Sequence, residues 1–179
     1  MTIWPEIRMQ EREELFDFLR AKVRDEAYSF KGRTLGSLRK QSYEWHRTSY
    51  GFKGNVVFQA WTPFFDLWEK AEKGHTGRVV EITNTRALFS EGRLQRHCVY
   101  SYTSRCLAGV TSILAMDISQ QIVGGTDRIE VGRITMEYSR PRKEIVQIRG
   151  KLNRRATELE MRFIRLWAGE KGVLISPYA

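Results

Sequence analysis

The sequence predicts an α+β fold: a small, mostly antiparallel sheet packed by helices in a single domain. Three observations point there. The 179 residues are 41% apolar, enough to build one hydrophobic core and too many for a disordered chain. Two segments, 6–27 and 154–169, repeat apolar residues at helical spacing. Two short runs late in the chain alternate apolar and polar residues as half-buried strands do. They are Arg133-Ile134-Thr135-Met136-Glu137-Tyr138 and Ile145-Val146-Gln147-Ile148-Arg149.

Taken in order, 6–27 reads as an amphipathic helix with Leu15, Phe16, Phe18, Leu19 and Val23 on its apolar stripe. Gly32 and Gly36 bound a break, and Ser37 caps a short helix that runs through Trp45. Gly51 and Gly54 mark a turn. Residues 56–61 are strand-like. Residues 63–73 carry Phe64, Leu67, Trp68 and Ala71 at i, i+3, i+4 and i+7, which predicts a helix ended by Gly74. Residues 78–83 form another strand. Ser90 caps a central helix, with Glu91 in its first turn where a negative charge suits the dipole, and Gly109 closes it. A buried strand over 110–116 and a Gly-rich connection at 124–127 follow. The two alternating strands are joined by a hairpin turn across 139–143. The last helix turns Leu159, Phe163, Leu166 and Trp167 inward. This divides the chain into a helical N-terminal region with one short strand (1–75) and an α+β core (76–179), the two forming one compact unit. Nothing repeats and no segment is low-complexity.

The formal net charge is +9 and Arg outnumbers Lys. Guanidinium forks suit phosphate, so the balance favours a nucleic-acid partner, RNA or DNA. Arg39, Lys40, Tyr43, Trp45, His46, Arg47 and Tyr50 interleave charge with aromatic rings as single-strand binders do; a helix with one packed and one solvated face looks the same. His75 lies in a Gly-flanked turn and is expected to be exposed. No apolar run reaches the roughly 18 residues that span a bilayer, and the first residues lack an apolar signal core. A cytoplasmic location without membrane contact is the expectation. Cys98 and Cys106, placed on one helix, would lie about 12 Å apart along its axis, too far for a disulfide. They read as free thiols. No metal site and no cofactor is predicted, because CxxC pairs and paired histidines are absent.

Strand alternation sorts the late residues by face. Ile134, Met136 and Tyr138 point one way, and Arg133, Thr135 and Glu137 the other. On the second strand Val146 and Ile148 share one face, and Ile145, Gln147 and Arg149 share the opposite one. Pairing the apolar sets brings Thr135, Glu137, Gln147 and Arg149 together. Such a face is either a site or a solvated sheet surface. A covering helix would place His97, Tyr100 and Ser101 on one stripe above it. His97 and Cys98 would diverge by about 100° and make a poor base–nucleophile couple. His97 then reads as the acid/base group. Glu137 is its orienting or second acid/base group, with Arg133, Arg149 or His97 as its partner. Arg149 is the phosphate clamp. Tyr100, Tyr102, Gln147 and Asn153 would bind substrate. A satisfied polar network that fixes the fold would use the same residues.

The pattern Leu88-x-x-Glu91-Gly92-x-x-x-x-His97-Cys98-Val99-x-x-Tyr102, then Gly109, Thr135-x-Glu137 and Gln147-x-x-Gly150-x-x-Asn153 resembles the PcfJ-like family over roughly 79–167. That family often carries an Arg at the end of the strand after the glycine, where this chain reads Ser112-Ile113-Leu114-Ala115-Met116-Asp117. The resemblance implies a setting on conjugative plasmids, phages or other mobile elements, where nucleic-acid roles are common. The leading expectation is a nucleic-acid-acting protein, as a metal-independent nuclease or other phosphate-directed enzyme. A non-catalytic nucleic-acid-binding module and a protein-interaction domain within a mobile-element complex stay open beside it. In residue type, His97, Tyr100 or Tyr102, and Glu137 also match sets that bind NAD and transfer ADP-ribose.

Overall fold

The structure is a computed structural model. It describes residues 15–50, 56–122 and 127–179 except 17, 21, 24 and 26, with the side chains of 46–50 left aside. Helix α1 (Leu35–Tyr50) precedes β1 (Trp68–Glu72), β2 (His75–Ile82) and helix α2 (Thr85–Gln95). A 3₁₀ turn (Val99–Tyr102) and helix α3 (Thr103–Leu107) lead into β3 (Thr111–Gln121), β4 (Arg128–Ser139) and β5 (Glu144–Gly150). A second 3₁₀ turn (Lys151–Asn153), helix α4 (Glu158–Lys171) and β6 (Leu174–Ile175) close the order.

The fold is α+β. Its sheet is six-stranded and mixed, in the order β1-β2-β3-β4-β5-β6, and curls into an open half-barrel. The sequence predicted a small, mostly antiparallel sheet. The difference arises at both edges. β1 to β5 pair antiparallel, but β6 returns after α4 and joins β5 in parallel. A crossover helix between neighbouring strands produces that sense. At the other edge, 68–72 is a strand where helical spacing predicted a helix. Lys73 and Gly74 both have positive φ (48° and 77°), the geometry of a two-residue hairpin turn, and pair Glu72 with His75. Gly74 therefore turns a hairpin instead of ending a helix. His75 is half-buried, not exposed.

Both faces of the sheet are covered. On one, Phe163, Ile164 and Trp167 of α4 pack on Leu114, Met116, Ile134 and Met136. On the other, Leu88, Val99 and Cys106, from α2 to α3, pack on Ile82, Ile113 and Ala115. The strand-like stretch 56–61 makes a single bridge, Ala60 to Asn84. Around 15–23, the described residues are helical, with Leu15 and Phe18 buried; the rest of the predicted 6–27 helix, the turn at Gly51 and Gly54, and the Gly-rich connection at 124–126 lie outside the described residues. The cap of α1 is Thr34, whose Oγ1 accepts from the Ser37 N–H, rather than Ser37 itself. α4 begins at Glu158, capped by Thr157, four residues after the predicted start. Among the described residues no helix is long and apolar enough to cross a membrane.

Candidate functional site

The continuous central helix that the sequence predicted is broken. α2 starts earlier, at Thr85, with the Asn84 side chain accepting from the Ala87 N–H; Ser90 lies inside the helix and is not its cap. It stops at Arg96, which turns left-handed (φ 53°), and the N–H groups of Arg96 and His97 both return to the Gly92 carbonyl. This closes a Schellman-type cap. Gly92 permits it: a Cβ there would stand 3.0 Å from the His97 carbonyl oxygen. His97 and Cys98 therefore leave the helix on a bend over the sheet, and Val99 to Tyr102 continue as a 3₁₀ turn.

That bend places His97 against the polar face of β4 and β5. Thr135 faces Arg149 and Glu137 faces Gln147 across the strand pair. The register then shifts by a β-bulge, so that Tyr138 faces Ile145 and Val146 is the extra residue. The bulge corrects the predicted faces of β5: Ile145 is buried in the apolar core with Ile148, and Val146 is half-buried. Upstream of the bulge the alternation is intact. Thr135, Glu137, Gln147 and Arg149 do share one face, and with His97, Cys98, Tyr102 and Asn153 they line one pocket.

The pocket is narrow, about 30 Å³. That is room for a water or two, or for a single small chemical group. His97, Cys98, Glu137, Gln147 and Asn153 are all buried, while Tyr102 and Arg149 are half-buried. Tyr100, expected to bind substrate, is not at the pocket; its ring packs edge-on against Phe89, with centroids 5.4 Å apart.

The hydrogen bonds assign partners that the sequence did not. Thr135 Oγ1 donates to Glu91 Oε1 at 2.5 Å and lies 2.9 Å from His97 Nε2. With the hydroxyl proton committed to the carboxylate, Thr135 accepts from His97, which puts an imidazole proton on Nε2. Glu91 is in turn held by Arg133 (Nη2–Oε2, 2.6 Å), which also bridges Asp117. Burial would lower the Arg133 pKa, but Glu91 and Asp117 outweigh it and raise it. Glu137, expected to pair with Arg133, Arg149 or His97, is held by Arg105 Nη1 at 2.6 Å, with Thr111 Oγ1 at 3.5 Å. Tyr102 donates its hydroxyl to Gln147 Oε1 at 3.1 Å. Asn153 Nδ2 is buried and has no partner among the described residues. Asn153 itself is left-handed (φ 57°), as is Leu152 before it (φ 59°), so two strained residues in succession set this side chain at the pocket wall.

Glu91 and Arg105 were thus missed as members of the site, and Thr135, grouped on the polar face, was given no role in it. One signal was present: Glu91 shares the helical stripe of Leu88 and Gln95, all three buried, so its carboxylate needs a partner. Neither cysteine is in a disulfide, and both are buried. Burial, with Glu81 and Glu137 nearby, pushes the Cys106 thiol up to about 12. Among the described residues no group of three or more His, Cys, Asp or Glu is placed to hold a metal ion.

Comparison with known proteins adds a family. A family model described as PcfJ-like protein matches residues 70–164. No curated protein and no solved structure matches the chain.

Proposed function

The chain belongs to the PcfJ-like protein family, and we propose that it acts on nucleic acid as a phosphate-directed catalyst, a metal-independent nuclease in its simplest form, in a mobile-element or phage setting. One observation carries the reading: His97, Glu137, Gln147, Arg149 and Asn153 arrive from the bend after α2, two strands and a 3₁₀ turn, and line a single pocket. Convergence of a histidine, a carboxylate and a guanidinium at a recess suits acid–base chemistry at a phosphate.

In this reading His97 moves the proton: held in place by Thr135 and Glu91, its imidazole accepts a proton from the attacking group and returns it to the leaving group. Glu137, held by Arg105, is the second acid–base group. Arg149 neutralises the developing charge. Gln147 and Asn153 position the substrate. The test is purified protein with labelled single-stranded and duplex RNA and DNA, without added metal, against His97→Ala. Cleavage that falls by about 100-fold or more in the variant is expected. Unchanged substrate in every format would sink the proposal.

A second reading has its own observation. The buried carboxylates Glu91 and Glu137 are already ion-paired with Arg133 and Arg105, as in a network that fixes a fold. The protein would then be a non-catalytic nucleic-acid-binding module. Salt-sensitive binding without turnover separates it from the first reading. Absence of any nucleic-acid affinity would leave a protein-interaction domain.

A further inference from the structure

We infer that the substrate is an extended single strand, laid across the pocket through two arginine-lined grooves that flank it. The inference rests on the phosphate-directed reading for the role of the pocket and adds the form of nucleic acid that reaches it. One groove, about 260 Å³, is lined by Arg20, Arg105 and Arg142 and shares Tyr102 and Glu137 with the pocket. The other, about 450 Å³, is lined by Arg155, Ala156 and Met161 and shares Arg149 with the pocket. Tyr178, 85% exposed, lines both grooves.

Charge and shape agree on one occupant. Arginines recur along the path, and the one acidic side chain lining it, Glu137, is already paired with Arg105. A polyanion is what such a path attracts. Exposed tyrosine beside a basic groove offers a surface on which unstacked bases lie, which paired bases cannot use. The pocket, which shares a wall with each groove, is too narrow for a base and wide enough for phosphate oxygens. The buried Asn153 Nδ2 donor at its wall supplies a hydrogen bond to such an oxygen. A rigid duplex cannot bring a phosphate down to a side chain as buried as Asn153, whereas a single strand bends into the recess.

The experiment is fluorescence anisotropy on the full chain with an end-labelled oligonucleotide of about 15 nucleotides. It carries phosphorothioate linkages against turnover and is offered as DNA, as RNA and as the matching duplex. The single strand should bind at least about tenfold tighter than the duplex. The R142E/R155E double variant should lose about tenfold or more and show a shallower salt dependence, because two phosphate contacts are removed. Both side chains are exposed, but Arg142 pairs with the half-buried Glu144, so circular dichroism checks that the double variant is folded, and R142Q/R155Q, which avoids like charges at Glu144, repeats the test. Tyr178→Ala should lose about fivefold or more. Equal or tighter duplex binding, or wild-type affinity in the double variant, overturns the inference. Single-strand preference without turnover keeps it while removing the catalytic reading. Turnover on duplex without single-strand preference does the reverse.

Discussion

The imidazole of His97 hangs from the hydroxyl of Thr135, Nε2 to Oγ1 at 2.9 Å. The contact spans 38 residues of sequence and joins the bend after α2 to the centre of β4. Because Thr135 spends its proton on Glu91, this one bond fixes both where the ring sits and which nitrogen carries the hydrogen.

Thr135→Val should therefore separate chemistry from stability. Valine keeps the shape and leaves the Glu91–Arg133 pair in place, so the loss on denaturation should be about 1–3 kcal/mol. Turnover should fall about 10- to 100-fold, as when a residue that orients a histidine is removed. Nitrogen NMR of His97 should show the neutral ring losing its fixed Nε2–H tautomer. A variant with full activity and an unchanged tautomer would remove Thr135 from the mechanism.

Glu137 and Arg105 form a buried-to-half-buried pair, so the two halves of the residue's role are separable as well. Glu137→Ala leaves the Arg105 guanidinium without its carboxylate and should cost about 2–3 kcal/mol, the low side for a buried pair because Arg105 reaches solvent. Glu137→Gln keeps an acceptor for Arg105 and should recover about half of that, while still lacking the proton-accepting charge. Urea denaturation gives the first quantity. If Glu137→Gln is folded and fully active, the carboxylate is structural.

The fold was legible in sequence where local pattern and tertiary structure agree. The strands of β4 and β5 follow alternation, so Thr135, Glu137, Gln147 and Arg149 are found on one face from sequence alone. The apolar stripe of α4, through Phe163 and Trp167, was equally plain. Two kinds of feature were not. Trp68 and Ala71 fit a helical repeat and yet lie in β1, because a turn at Lys73 and Gly74 and pairing with β2 override a weak local preference. The helix end at Arg96 carries no glycine or proline at the turning residue, and is set four residues earlier by the close approach that Gly92 allows. The relay from His97 through Thr135 to Glu91 depends on that bend, as does the Arg105–Glu137 pair on the short helix after it. Periodicity within one segment has no means of expressing either.

The acid limb of stability should report on Glu160. Burial alone would raise its pKa, but hydrogen bonds from Arg154 and Thr157, with the Arg154 charge, outweigh burial and hold it below the usual 4.5. A carboxyl depressed in the folded state adds stability that is fully present above its unfolded pKa and is lost as pH falls through the folded one. Glu160→Gln should thus be about 1–2 kcal/mol less stable at pH 7, where the Arg154 ion pair is lost while the amide oxygen still accepts from the Thr157 N–H in the capping box of α4. The gap to wild type should narrow as the pH falls below the usual 4.5 and through the lowered folded-state value. A gap that stays constant down to pH 2 would show that the charge on Glu160 contributes nothing.

Cys106 should be inert. Its thiol is 1% exposed and raised to about 12, so almost none is thiolate at pH 8. Iodoacetamide on native protein, read by peptide mass spectrometry, should leave Cys106 unmodified over a period in which the unfolded chain reacts fully. Rapid native labelling would mean that α3 opens away from the sheet.

Gly77 tests how tightly the other face is closed. It lies on β2 opposite Ile118, and an added Cβ would fall well inside van der Waals contact of the Phe163 ring edge. Phe163 is fully buried among Trp68, Met116 and Trp167, so the ring has no open space into which to withdraw. Gly77→Ala should then cost about 2–3 kcal/mol through overpacking, despite the better strand propensity of alanine. The paired change Gly77→Ala with Phe163→Leu removes the clashing ring edge and should be less destabilised than the sum of the two single changes. Thermal denaturation of the four proteins in that cycle measures the coupling. Additive losses would show that α4 shifts on the sheet without strain.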